Sequence, residues 1–160
     1  MLFMKIHLSA LILIFCALSF PTKAETLSGK PRVIDGDTLE IAGQRIGLFG
    51  IDAPEFNQVC TKKGKPWACG EKATMVLLYA AGTHWVDCQT REKDKRGRLM
   101  ADCKTGPYHL SEFMVRTGWA LADRTVSDQF VAQEEEAQKT KKGIWKGSFV
   151  EPWEWRKEQK

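Results

Sequence analysis

Between Arg32 and Ile51, short apolar or β-branched runs alternate with turn residues: Arg32-Val33-Ile34, Asp35-Gly36-Asp37, Thr38 to Ala42, Gly43-Gln44, then Arg45 to Ile51. This alternation predicts three strands in a meander, closed by Pro54. Residues 56–69 hold Asn57, Gly64, Pro66 and three lysines without periodicity and read as a loop. From Glu71 to Ala81, the spacing of Ala73, Val76, Leu77 and Ala80 predicts a helix, with Gly82 just past its end. Thr83 to Cys88 and Arg98 to Cys103 read as two further strands around the charged turn Arg91 to Gly97. A second helix is expected behind Pro107, around Leu110, Phe113, Met114 and Trp119. A third is expected from Asp128 to Lys142, where Glu134, Glu135 and Glu136 precede Lys139, Lys141 and Lys142 in the order that suits a helix dipole. The tail carries Trp145, Phe149, Trp153 and Trp155 and reads as a segment packed back on the domain. Five strands with a helix after the third is the strand count of an OB barrel, so the expected class is α+β: a five-stranded OB-fold barrel with about three packed helices.

The first 24 residues have a different pattern. Lys5 is followed by an almost wholly apolar run from Ile6 to Phe20, and Thr22-Lys23-Ala24 offers small residues where a signal peptidase reads. Roughly 15 apolar residues are short for a membrane span, so residues 1–24 read as a cleaved signal peptide and 25–160 as a single domain, exported to the periplasm or the exterior. No stable membrane insertion is expected after cleavage, and a monomer is expected. Cleavage takes Lys5 and Lys23 from the 24 basic residues and none of the 20 acids, so the net charge falls from +4 to +2. That balance is too mild to announce a nucleic-acid binder, and any such claim must rest on a local site.

Cys60, Cys69, Cys88 and Cys103 remain after Cys16 leaves, an even set in an exported chain. Three pairings are open. Cys60–Cys69 with Cys88–Cys103 is favoured, because the second pair flanks the hairpin turn and opposed strand residues lie within disulfide reach. A four-cysteine zinc site is the competitor, although the gaps lack the close pairs it wants.

Carboxylates gather at the strand ends. Asp35 and Asp37 lie in the first turn and Asp52 and Glu55 around Pro54, while Arg98 follows Gly97. Hard oxygen ligands of this kind suit Ca²⁺, and a cation opposite an arginine is what a phosphodiester needs as charge grows on the transferring group. Singly, these residues are as well explained by turns that accept their own backbone N–H groups.

The joint order is more specific. Val33-Ile34-Asp35-Gly36-Asp37-Thr38, Gly50-Ile51-Asp52-Ala53-Pro54-Glu55, Asp94-Lys95-Arg96-Gly97-Arg98 and Gly143-Ile144-Trp145 together resemble the staphylococcal-nuclease-like (thermonuclease) family over residues 30–150. The resemblance implies an OB barrel and a Ca²⁺ held by Asp37, Asp52 and the Ala53 backbone carbonyl, with Asp35 acting through water. It implies Glu55 as the general base on the attacking water and Arg98 as one of two arginines facing the phosphorus.

Two positions depart from the family. Gly47 stands where the second catalytic arginine is expected, and Arg96 where tyrosine is usual. Arg45, two residues earlier on the same strand face, is the candidate partial substitute for the missing guanidinium. The expected function is therefore Ca²⁺-dependent endonucleolytic hydrolysis of DNA and/or RNA with low sequence preference. The alternative is a catalytically weak or inactive OB-fold binding module for nucleic acid or another polyanion.

Overall fold

Residues 25–95 and 97–159 are described by the computed structural model. The expected signal peptide and Arg96 lie outside the described residues. Sheet formation starts from the apolar alternation. Strand β3 (Thr38–Ile41) buries Thr38, Leu39 and Ile41, and β4 (Gln44–Leu48) buries Ile46 and Leu48. The turn between them is Ala42-Gly43, with φ of 51° and 79°, one residue earlier than the sequence suggested. Two consecutive positive φ values match the twist of a two-residue hairpin, which is why the register settles there.

Strand β1 (Thr26–Gly29), β2 (Arg32–Val33), β8 (Val86–Lys93) and β9 (Leu99–Thr105) complete a mixed sheet in the order β1-β8-β9-β4-β3-β2, and β10 (Tyr108–His109) also pairs with β9. The β4–β9 pairing is parallel and the others are antiparallel. The sheet curls, so that a Cβ built on Gly29 of β1 would lie 2.9 Å from Ile41 Cγ2 of β3. This curled sheet, with helices packed on it, fits an OB-fold-like barrel. Two shorter pairs lie outside it: β5 (Ile51–Asp52) with β11 (Leu121–Ala122), and the hairpin β6 (Cys60–Lys62) with β7 (Lys65–Trp67).

Helix α1 (Cys69–Ala81) packs Ala73 and Leu77 onto the sheet, and α2 (Leu110–Arg116) adds Leu110, Met114 and Val115. Together with Leu39, Ile46, Leu48, Val86 and Phe130 these form the main core. Each such side chain contributes about 1.5–3 kcal/mol on burial. Helix α3 (Val131–Lys139) is shorter than expected, and a fourth, α4 (Pro152–Glu158), follows a short 3-10 helix at Gly143–Lys146. A second apolar cluster joins Cys60, Cys69, Leu121 and Ile144 to Trp67, Trp119, Trp145 and Phe149. The tail therefore does pack back on the fold, and it is tied there by paired backbone bonds between Thr61 and Ser148.

Both disulfides have the favoured pairing, Cys60–Cys69 and Cys88–Cys103. Cys88 and Cys103 are direct register partners on β8 and β9, and with all four thiols in bridges the zinc alternative is removed. Strand β8 runs on to Lys93 through a register shift between Thr90 and Glu92, so part of the expected charged turn is strand. Among the described residues, no helix is long and apolar enough to cross a membrane.

Candidate active site

The Asp-Gly-Asp turn between β2 and β3 is shaped by close packing. A Cβ on Gly36 would meet the Ala53 Cβ at 2.7 Å and the Ala73 Cβ at 2.9 Å, so only glycine lets the turn settle against both neighbours. Asp35 Oδ1 accepts from the Asp37 backbone N–H (3.0 Å), the local role expected of a turn aspartate. Asp37 reaches across instead: its Oδ2 accepts from Ala53 N–H (2.9 Å) and its Oδ1 from the Thr38 hydroxyl (2.9 Å). Burial, then repulsion from Asp35 and Asp52, pushes the Asp37 carboxyl well above the usual range, against the opposing pull of Arg98 and the Ala53 N–H.

Arg98 closes one side of the cluster. Its Nη1 donates to Thr38 Oγ1 (2.9 Å) and lies 3.7 Å from Asp37 Oδ1, while its Nε donates to Asp94 Oδ2 (3.1 Å). Asp94 Oδ1 also accepts from the Arg98 backbone N–H, so the β8–β9 turn holds both the backbone of Arg98 and its Nε. Thr38 acts as a hinge between acid and base, donating to Asp37 and accepting from Arg98.

On the opposite side, Asp52 at the end of β5 and Glu55 beyond Pro54 meet a residue from α4. Arg156 Nη1 donates to Asp52 Oδ1 (2.8 Å) and Glu55 Oε1 (2.8 Å), and Nη2 donates to Asp52 Oδ2 (2.6 Å). Burial raises the Asp52 carboxyl above its usual value, while the bond and charge of Arg156 pull it down and Glu55 and Asp123 add repulsion. The Arg156 guanidinium is in turn held more firmly protonated, chiefly by its bond to Asp52. Gln58, fully buried, accepts from Glu55 N–H (3.2 Å) and donates to the Val150 carbonyl (2.7 Å), joining the Glu55 turn to the approach of α4.

Gly47 lies on β4 beneath Met100 and Arg98, two residues that line the cleft. It does not have a positive φ, and what distinguishes it is crowding: a Cβ there would meet Met100 Sδ at 2.7 Å, Met100 Cε at 2.8 Å and Arg98 Cζ at 3.1 Å. Met100 and the Arg98 guanidinium thus occupy the space over a residue that has no side chain. Arg45 is exposed, shares the Gly47 face of β4 and is the register partner of Glu40. Asp35, Asp37, Asp52, Glu55, Arg45 and Arg98 all line one cleft of about 990 Å³, with Arg156 at its wall. A separate cavity of about 740 Å³, beside Tyr79, Tyr108 and Phe113, carries no carboxylate.

Residues 45–147 match the family described as Staphylococcal nuclease homologue. The chain belongs to that family. Among curated relatives, this nuclease homologue is 30% identical to the succinoglycan biosynthesis protein ExoI of Rhizobium meliloti (strain 1021), over 77% of its own length and 66% of the relative's. It is 30% identical to Protein ParB of Escherichia coli (86% and 83% covered) and 28% identical to a micrococcal nuclease of Shigella flexneri (98% of each). Family membership and nuclease-named relatives support a nuclease role for this homologue.

The donor set of the cleft suits a hard cation, since Asp35, Asp37 and Asp52 are oxygen ligands whose mutual repulsion within a largely buried cluster a positive ion would relieve. Among the described residues, however, no three acidic side chains form a ready metal shell, and both oxygens of Asp52 are engaged by Arg156. The sequence pattern pointed to Asp35, Asp37, Asp52, Glu55 and Arg98, which the fold of this homologue brings together, but missed Gln58 and Arg156. Pro152 at the start of α4 was the one available signal, because proline favours the first position of a helix.

Proposed function

We propose that this staphylococcal nuclease homologue is an exported, Ca²⁺-dependent endonuclease that hydrolyses phosphodiester bonds of DNA, RNA or both with low sequence preference. The observation that carries this reading is one cleft lined by Asp37, Asp52, Glu55 and Arg98, with the Arg98 guanidinium 3.7 Å from Asp37. Asp37 and Asp52 would hold the ion together with the Ala53 carbonyl, and Asp35 would assist through water. When bound, Ca²⁺ supplies a fixed positive charge beside the phosphoryl oxygens.

The remaining steps belong to side chains of this chain. Glu55 orients a water and takes its proton as the water oxygen bonds to phosphorus and the ester P–O bond on the far side breaks, the leaving oxygen taking a proton from solvent. Arg98 meets the negative charge that grows on the phosphoryl oxygens. Its anchoring by Asp94 and Thr38 means that little ordering is left to be done on binding. Two disulfides support the exported location, because such bridges persist in oxidising compartments.

A second reading is favoured by one observation: Gly47 brings no second guanidinium to stand beside that of Arg98, and Met100 fills the space over it. On that reading the cleft binds nucleic acid or another polyanion without cutting it. Digestion of plasmid DNA and of RNA by purified protein, with Ca²⁺ and with chelator, separates the two. Cleavage that needs Ca²⁺ supports the nuclease, whereas retention of nucleic acid without cleavage supports the binding module.

A further inference from the structure

The strongest unassigned feature is Arg156, which lies beyond the residues matched by the family and yet lines the cleft. Its guanidinium grips Asp52 at both oxygens and spans to Glu55 through Nη1. This two-point fork on a carboxylate is the strongest form of side-chain ion pair. Asp52 is only 10% exposed at its side chain, so an unpaired charge there would be costly.

The helix that delivers Arg156 is seated for that purpose. Pro152 at its start is buried, and the carbonyl of Val150 just before it is held by Gln58, the same residue that holds the backbone N–H of Glu55. Upstream, Ser148 is bonded to Thr61 of β6 at both its N–H and its carbonyl, and Trp145 stacks edge-on against Phe149. The position of Arg156 is therefore coupled to the Glu55 turn.

We propose that Arg156 is a built-in competitor for the divalent cation: it neutralises Asp52 and Glu55 while no metal is bound, and it must release Asp52 before a cation can bind there. The proposal rests on the calcium reading given above. A bound divalent ion and the guanidinium would share one carboxylate and repel each other, so occupancy by one weakens the other. Sensitivity to metal concentration is then set by the C-terminal helix as well as by the ligands.

Calorimetric titration of the metal-free full chain with Ca²⁺ alone tests this, in the parent protein and in Arg156→Gln. The variant is expected to bind Ca²⁺ about tenfold more tightly, because the competing ion pair is gone. Arg156→Lys keeps the charge but not the fork and is expected to fall between the two. Thermal melts supply a second readout: in chelator Arg156→Gln should melt lower than the parent, and Ca²⁺ should raise its melting temperature by more. Equal or weaker Ca²⁺ binding by Arg156→Gln, or an equal Ca²⁺-induced rise in both proteins, overturns the competition. No binding by any of the three overturns the calcium reading together with it.

Discussion

At the residue scale, two glycines decide how the cleft is built. Gly36 lets the aspartate turn approach Ala53 and Ala73, which are too short to move aside. Gly36→Ala is expected to lower stability by about 1–3 kcal/mol, as overpacking does, and to weaken Ca²⁺ binding because Asp37 is displaced from Ala53. Denaturant unfolding and calorimetry check the two parts. Gly47 differs, since the atoms closest to a Cβ there are the flexible end of Met100, which can swing away, with the anchored Arg98 Cζ at 3.1 Å needing to give only slightly. If a missing guanidinium limits the rate, Gly47→Arg should speed phosphodiester cleavage by about 10²-fold or more. Gly47→Ala measures the cost of displacing Met100 and Arg98 without adding charge. An Arg variant that folds as well as the Ala control and cleaves no faster than the parent would favour the binding module. Arg45→Ala in the native background then tells whether Arg45 meets the phosphate: cleavage falls if it does and holds if it faces only solvent.

At the element scale, the hairpin of β8 and β9 was readable because two strand patterns flank a charged turn with a cysteine on each side. Removing Cys88–Cys103 by paired serine substitution is expected to cost about 3 kcal/mol in unfolding free energy, the usual effect of closing a loop of this size. The four acidic positions (Asp35, Asp37, Asp52 and Glu55) and Arg98 were readable through the resemblance and their order along the chain. Strand β1, the β6–β7 hairpin and α4 were not. The β6–β7 segment carries lysines and Pro66 and has no apolar alternation, since it is held by a disulfide and by Ser148 rather than by a core face. Gln58 and Arg156 escaped for a related reason. Each owes its place to segments roughly a hundred residues apart in sequence, and no local period records such a meeting.

At the scale of the whole molecule, the net charge of residues 25–160 is small, so on the nuclease reading the cleft's own charges would do the recognising. They also shape stability. Asp37 and Asp52 have folded-state pKa values raised above the unfolded ones, so the folded metal-free protein holds more protons than the unfolded chain between those values. Its stability therefore falls as pH rises from about 4 through the raised values. Glu40, held low first by its bond to Arg32, works with the opposite sign. Melts in chelator at pH 5 and 7.5 should show the fall, and Asp37→Asn should flatten it, raise the melting temperature at pH 7.5 and abolish Ca²⁺ binding. The most direct test of the nuclease reading is Ca²⁺-dependent plasmid cleavage by the parent and by Glu55→Gln, which keeps the shape of the side chain and removes its basicity. The expected result is a loss of about 10²-fold or more in rate with Ca²⁺ binding retained. Cleavage by Glu55→Gln at the parent rate would contradict Glu55 as the base and this cleft as the place where the phosphodiester is cut.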